Sequence, residues 1–266
     1  MPEDQPFDHP SDPEDESLTV REANESQRET PRSKYGVRRL LRLLAKGALA
    51  LLAFSILMVF IYKFVPPVFT PLMIIRSTEA LLAGKDSQIS YDWTTYNNIS
   101  PEAAIAVVAS EDQSFPDHFG FDLDEIQKAM AQKKVRKRGA STISQQVAKN
   151  VFLWNGRSYF RKGLEAYFTV LIELIWGKKR ILEVYLNVAE MGDRTFGVQA
   201  ASQRYFGVSA RQLSRRQAAL LASVLPNPRR FSVSRPSRYV KGRANFIARQ
   251  MRALGGPVYL KDLRSF

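Results

Sequence analysis

The 266-residue chain contains no cysteine, which excludes disulfides, thiol nucleophiles and cysteine-ligated metals. Histidine is almost as scarce: only His9 and His118 occur, too few for a histidine-rich zinc site. Internal repeats and sustained apolar/polar alternation are lacking, so neither a repeat array nor a strand-rich fold is expected. Acidic residues are concentrated at the start. Residues 1–30 hold ten acids against Arg21 and Arg28, a net of −8, so the remainder carries +21 to give the overall +13. An excess of that size calls for anionic partners: membrane headgroups, phosphorylated substrates or nucleic acid. The acidic, Pro- and Ser-containing start has few large apolar residues and reads as a disordered tail over residues 1–33.

What the sequence does have is one long apolar run, "GALALLAFSILMVFIYKFV", from Gly47 to Val65. Sixteen uncharged residues separate Lys46 from Lys63, short of the roughly 20 that a spanning helix needs. Both lysines can snorkel to the interfaces, so Leu43 to Val65 suffices for a span. A buried core helix is the lesser alternative for a run apolar all round. A cleaved signal peptide is disfavoured by the forty-odd residues in front and the lack of a small-residue cleavage pattern. Lys34, Arg38, Arg39, Arg42 and Lys46 crowd the N-terminal flank, against Lys63 and Arg76 beyond it. The positive-inside rule then puts the tail in the cytoplasm, residues 34–65 as basic flank and single-pass transmembrane helix, and residues 66–266 outside the cytoplasm.

Beyond the anchor, "VPPVFTPLMII" is apolar but broken by prolines; it either lies in the membrane interface or packs under the domain. From Ser100 onward the pattern is nearly all helical. Ser100 suits an N-cap and Pro101 the first helical position. Asp122 with Glu125, and Ser214 with Gln217, resemble capping boxes, and Gly255 and Gly256 form a stop. If the helix from Pro101 reaches Glu111, a carboxylate lies near the negative end of the macrodipole. That placement is mildly unfavourable and points to a purpose other than local stability.

Two further stretches carry polar groups on otherwise apolar helices. In "GASTISQQVAKNVFLW", Thr142, Gln145, Gln146 and Lys149 share one helical face. Amides and a hydroxyl around one lysine suit a site that hydrogen-bonds a polar ligand, although an ordinary solvated face has the same spacing. In "RSYFRKGLEAYFTVLIELIW" apolar residues wrap most of the helix, which predicts burial and so a partner for any charge. Arg161, Lys162 and Glu165 form either a structural ion pair or the lining of a charged cleft. Glu183, Asn187 and Glu190 lie along a helical stripe better suited to architecture than chemistry.

The segments "EDQSFPDHFGFD", "GASTISQQVAKN", "RKGLE", "KKRILEVYLN" and "GVQAASQRYFG", in that order, resemble the peptidoglycan glycosyltransferases. That is the glycosyltransferase domain of class A penicillin-binding proteins, glycosyltransferase family 51. The resemblance covers roughly residues 85–250. It implies a mostly α, lysozyme-like helical domain, here preceded by the single transmembrane helix. It also implies polymerisation of lipid II into glycan strands, by inverting attack of a GlcNAc 4-hydroxyl on C1 of lipid-pyrophosphate-linked MurNAc. The sequence contains no Ser-x-x-Lys, so the family's transpeptidase activity is expected to be missing.

By the same resemblance Glu111 is the base and Glu165 the second essential glutamate. Asp112, Phe115 and His118 orient the base or shape the acceptor pocket, although His118 also suits a core histidine. Thr142, Gln146, Lys149, Asn150, Arg161 and Lys162 complete the substrate-binding set, with cations and donors facing the pyrophosphate. Glu165 holds either those cations or a divalent metal, Mg²⁺ or Mn²⁺, near the pyrophosphate; no organic cofactor is expected. The implied partners are lipid II, the growing strand, the membrane, and other cell-wall synthases or division proteins, but no nucleic acid. The implied location is the inner membrane with a periplasmic catalytic domain. "VFLWNGRSYF" offers aromatics for an interface-dipping segment near the donor, or for the core. Two rivals are weaker. The first is a membrane-bound muramidase or lytic transglycosylase, but a retaining glycosidase has no need for cations beside its second glutamate. The second is a non-enzymatic module binding nucleic acid or anionic lipid through its positive surface, but a nucleic-acid module needs neither the anchor nor an external location.

Overall fold

The computed structural model describes residues 32–131, 141–156 and 158–263. The expected acidic tail and His9 lie outside the described residues, apart from Arg32 and Ser33, which open the first helix; so do Gly139 and Ala140 of the second motif. The chain divides into two compact units, residues 1–55 and 56–266. In the first, the described part is the long helix α1 (Arg32–Phe64) up to Ser55. Its stretch Val37–Phe64 is long and apolar enough to cross a membrane, and almost none of it is buried. A core helix would bury such a surface.

The second unit begins inside α1. There the Val59 carbonyl accepts from Trp176 Nε1 at 2.7 Å, and the Tyr62 and Val65 carbonyls accept from Arg180 at 2.9 and 3.2 Å. Arg180 thus satisfies carbonyls at the end of the helix, where intrahelical donors run out, and Trp176 bonds to one further back along it. Helix α2 (Pro71–Leu82) then starts with Thr70 as N-cap and Pro71 in the first turn, burying Leu72 and Met73 while Ile74, Leu81 and Leu82 stay exposed. Thus part of the apolar "PLMII" packs inward and part faces outward.

Helix α3 (Pro101–Glu111) is the axis of the domain. Ser100 caps it, and Ala103 to Ala109 are all buried. A helix apolar all round needs neighbours on every side, and α3 packs against α7 (Gly177–Val188), α9 (Arg215–Val224) and α10 (Arg238–Ala253). Between α3 and α7 the chain forms α4 (Leu123–Ala131), α5 (Ile143–Phe152) and α6 (Tyr159–Ile175). Capping boxes at Thr142/Gln145 and Ser214/Gln217 start α5 and α9, and Gly255, in the left-handed region, follows α10. At Asp122 the side chain accepts from the Glu125 amide at 2.8 Å.

As expected, the domain is mostly helical: β1 (Ser90–Tyr91), β2 (Glu190–Gly192) and β3 (Thr195–Phe196) form only a small sheet in the order β1-β3-β2, parallel then antiparallel. At two or three residues each they are too short to show a period. One expectation is corrected: α6 is not buried all round, because Phe160, Val170 and Leu174 are exposed along one side.

Gly197, before helix α8 (Val198–Phe206), has φ +83° and ψ 156°, and a Cβ there would meet the Asn187 carbonyl at 2.5 Å. Gly207, after α8, has φ +65° with open space around it. Gly197→Ala should therefore lower stability by at least about 3 kcal/mol, whereas Gly207→Ala should cost about 1 kcal/mol. Thermal unfolding of the two variants side by side checks the difference.

Candidate active site

Glu111 ends α3, and its two oxygens are held differently. Oε2 accepts from Gln146 Nε2 at 3.1 Å, and Gln146 Oε1 in turn accepts from the Tyr185 hydroxyl at 3.1 Å. Oε1 accepts from Ser110 Oγ at 2.9 Å and lies 3.4 Å from Arg243 Nη2. The carboxylate is thus fixed by neutral donors and one distant guanidinium, while remaining partly open to solvent. The Tyr185 hydroxyl is fully buried and its pKa is pushed far up by that burial, with Glu111 and Asp112 adding to the effect. It therefore serves as a hydrogen-bond donor.

The next residue points inward. Asp112 Oδ2 accepts the Ile143 amide at 2.9 Å, the first amide of α5, and Oδ1 lies 2.9 Å from His118 Nε2. His118 Nδ1 is buried without a partner among the described residues. Phe115 is fully buried beneath this pair, with Lys178 Nζ 4.5 Å from its ring centroid. Thr142 also faces the interior: its hydroxyl donates to the Gly120 carbonyl at 2.7 Å and caps α5. Asp112, Phe115 and Thr142 are therefore committed to protein contacts. Asn150, on α5, is buried as well.

The second carboxylate is fully engaged. Glu165, 3 % exposed, accepts from Arg161 Nη1 at 2.9 Å and from Lys162 Nζ at 2.5 Å. Arg161 Nε remains buried without a partner among the described residues. Lys149 differs from both cations, since its ammonium makes no hydrogen bond or ion pair among the described residues. Its pKa is lowered by burial, against the opposing pull of Glu165 and, more weakly, Glu111. Arg161 and Lys162 lower it further, so the ammonium lies in the field of the whole Glu165 cluster.

Sequence reasoning missed a buried layer below. Glu173 Oε1 accepts from Lys178 Nζ at 2.7 Å and from Ser144 Oγ at 2.5 Å. Burial lowers the Lys178 pKa, while Glu173 and then Asp112 raise it. Glu173 was hidden in an apolar stretch, and its need for a buried partner was the one available signal. Arg243, far along the chain on α10, gave none. Of the expected helical stripe, Glu183 and Asn187 lie on α7, whereas Glu190 falls beyond its end in β2; all three are engaged internally. Asn187 brackets Thr94 with two 2.8 Å bonds, Glu183 takes Arg180 and the Tyr96 amide, and Glu190 takes Arg76.

The donor set does not fit a protein-held metal. Both Glu165 oxygens face cations, and among the described residues no three acids or histidines converge. What the cluster supplies instead is positive charge of its own. Beside it, the aromatic segment divides in two. Leu153 is buried and Phe152 stacks on Phe168 with centroids 4.6 Å apart, whereas Trp154, Tyr159 and Phe160 are exposed, Tyr159 almost completely.

The sequence matches the family model described as Transglycosylase over residues 78–252, which includes every residue of the site. It is 54 % identical over 228 residues to the biosynthetic peptidoglycan transglycosylase of Pseudomonas putida (strain F1), covering 85 % of this chain and 97 % of that one. The protein of the same name from Pseudomonas entomophila (strain L48) is 54 % identical over 84 % of this chain and 96 % of its own. That of Stutzerimonas stutzeri (strain A1501) is 52 % identical over 86 % and 95 %.

An unpaired, desolvated ammonium costs stability while it is charged. Because the folded-state pKa of Lys149 lies below its ordinary 10.5, the folded state binds fewer protons than the unfolded state between the two values. Stability rises with pH across that window and the cost is gone above 10.5. Lys149→Met should therefore match or exceed the wild type in melting temperature at neutral pH, with the gap closing as pH rises. Melting curves across pH check this; a variant several degrees less stable at neutral pH would show that the ammonium has a stabilising partner.

Proposed function

The chain belongs to the transglycosylase family, and from that premise we propose how this peptidoglycan glycosyltransferase of cell-wall synthesis divides its chemistry between Glu111 and the Glu165 cluster. Its substrates are lipid II and the growing glycan strand. The 4-hydroxyl of the acceptor GlcNAc attacks C1 of the donor MurNAc, and Glu111 takes the hydroxyl proton as the new C–O bond forms. The bond from C1 to the pyrophosphate breaks, and its electron pair leaves with the lipid pyrophosphate. Gln146, itself held by Tyr185, fixes Glu111 Oε2 with a neutral donor, while Ser110 and the more distant Arg243 orient Oε1.

The departing pyrophosphate is a stabilised anion and needs positive charge more than a strong acid. Lys149, Arg161 and Lys162 supply it. The observation that carries this reading is Lys149: a half-buried ammonium with no partner of its own, within the field of both carboxylates. A strained cation of that kind is characteristic of sites awaiting an anion. Glu165 sets Arg161 and Lys162 in position, and with both oxygens ion-paired it is badly suited to be an acid or nucleophile in glycan cleavage.

The anchor and the exposed aromatics serve the same substrates. We place α1 across the inner membrane with the basic flank in the cytoplasm and the domain in the periplasm. The exposed side of α6, with Trp154 and Tyr159 beside it, then dips into the interface where the substrate lipid chains lie.

Purified full-length protein in detergent, given labelled lipid II, should form polymer that a muramidase digests. Glu111→Gln should lower the rate by about 10² to 10⁴ with little change in KM, since the lost step is proton transfer. A variant within about tenfold of wild type, or cleavage of preformed glycan by the wild type, would refute the assignment. Deprotonation of Lys149 removes the waiting cation, so activity should fall on the alkaline side below pH 10.5. Lys149→Arg should move that limb upward, because arginine stays charged; an unmoved limb would remove Lys149 from the account.

A further inference from the structure

A second cationic cavity, sharing no residue with the Glu111–Glu165 site, opens where α1 ends. It measures about 310 Å³ and lies between the last turn of α1, the segment Thr95–Asn97 and the start of α7. Two of its walls are ammonium groups, Lys63 and Lys179. Both are half-buried, and neither has a carboxylate partner among the described residues. Lys63 lies 5.6 Å from the ring centroid of Phe64, and Lys179 lies 5.5 Å from that of Tyr96.

The other charges of the cavity are already used. Arg180 meets Glu183 at 2.7 Å and donates to the Tyr62 and Val65 carbonyls. Glu183 also accepts the Tyr96 amide at 2.8 Å. This matters for an anion, because the C-terminal carbonyls of α1 would repel it. Arg180 covers two of them, and Lys63 and Lys179 leave a surplus of two positive charges. Trp176, bonded to the Val59 carbonyl, and Arg180 fasten the helix end to the domain, so the cavity is preformed.

Its depth is set by the apolar span Val37–Phe64, which ends at Lys63 and Phe64 on the cavity wall. A lysine and an aromatic at the end of a span lie at the headgroup level. The volume falls at the lower end of the range for small-molecule sites. We propose that this cavity binds the phosphodiester headgroup of an anionic phospholipid, with Lys63 and Lys179 on the phosphate and Phe64 beside the acyl chains. The proposal rests on α1 crossing a bilayer and not on the catalytic roles of Glu111 or Lys149. A bound headgroup would fix the height of the domain over the membrane surface.

The test is native mass spectrometry of the full chain in detergent, titrated with short-chain phosphatidylglycerol and phosphatidylcholine of equal acyl length. The wild type should retain phosphatidylglycerol about tenfold better or more. The double variant Lys63→Gln/Lys179→Gln should lose that preference, and Lys63→Arg/Lys179→Arg should keep it. Polymerisation of lipid II in detergent should be unchanged in both variants, which separates this site from the catalytic one and shows that the variants fold. Equal retention of the two lipids by the wild type, or a preference that survives the glutamine variant, would overturn the proposal. Millimolar inorganic phosphate should leave the lipid bound; full displacement would overturn the lipid assignment in favour of a free-anion site.

Discussion

The Asp112 carboxylate joins the two helices that carry the chemistry. One oxygen takes the first amide of α5 and the other meets His118, so the end of α3 is fastened to the start of α5. Glu111, on one side of that junction, thereby faces Gln146 and Lys149 on the other. An ionised acceptor on a helix N-terminus is electrostatically favourable, and a buried carboxylate without such donors would be costly. The layer beneath repeats the rule: Phe115 lies under Lys178, Lys178 on Glu173, and Glu173 on Ser144. Each buried charge there has an opposite charge or a donor.

The roles proposed for the two glutamates follow from where this rule is kept and where it is relaxed. Glu165 is satisfied completely, by Arg161 and Lys162, and its role is to hold cations. Glu111 is satisfied by neutral donors and a guanidinium at 3.4 Å, which leaves it able to receive a proton. Lys149 is the exception, a desolvated ammonium with no partner of its own. In the proposed function the substrate pyrophosphate completes that pairing, and the stability given up here keeps positive charge already aimed when the leaving group develops its own.

Much of the frame was legible in the sequence because it depends on local chemistry. Ser100 and Pro101 started α3, the Ser214/Gln217 box started α9, and the apolar run at Gly47–Val65 marked the anchor helix. The quoted motifs contain both glutamates. Contacts between distant segments left no local trace. Arg243 reaches Ser110 and Glu111 across more than a hundred residues, and Asp112 reaches Ile143 through a backbone amide that any residue would provide. The polar stripe on α5 also looked uniform, yet Thr142 and Gln145 serve the cap while Gln146 and Lys149 serve the cleft. The exposed side of α6 misled for a different reason. Apolar residues around a helix imply neighbours on every side, and the sequence does not mark which of them stay exposed.

In the proposed division of labour Glu111 takes a proton and no carboxylate touches the anomeric carbon. A single displacement of that kind fixes the stereochemistry. The most direct measurement is the anomeric configuration of the newly formed glycosidic bond, determined by NMR on polymer made from lipid II of known configuration at C1. Inversion is the predicted result. Retention would mean two displacements through a covalent glycosyl–enzyme, with a glutamate as nucleophile, and would contradict the roles given to both Glu111 and Glu165.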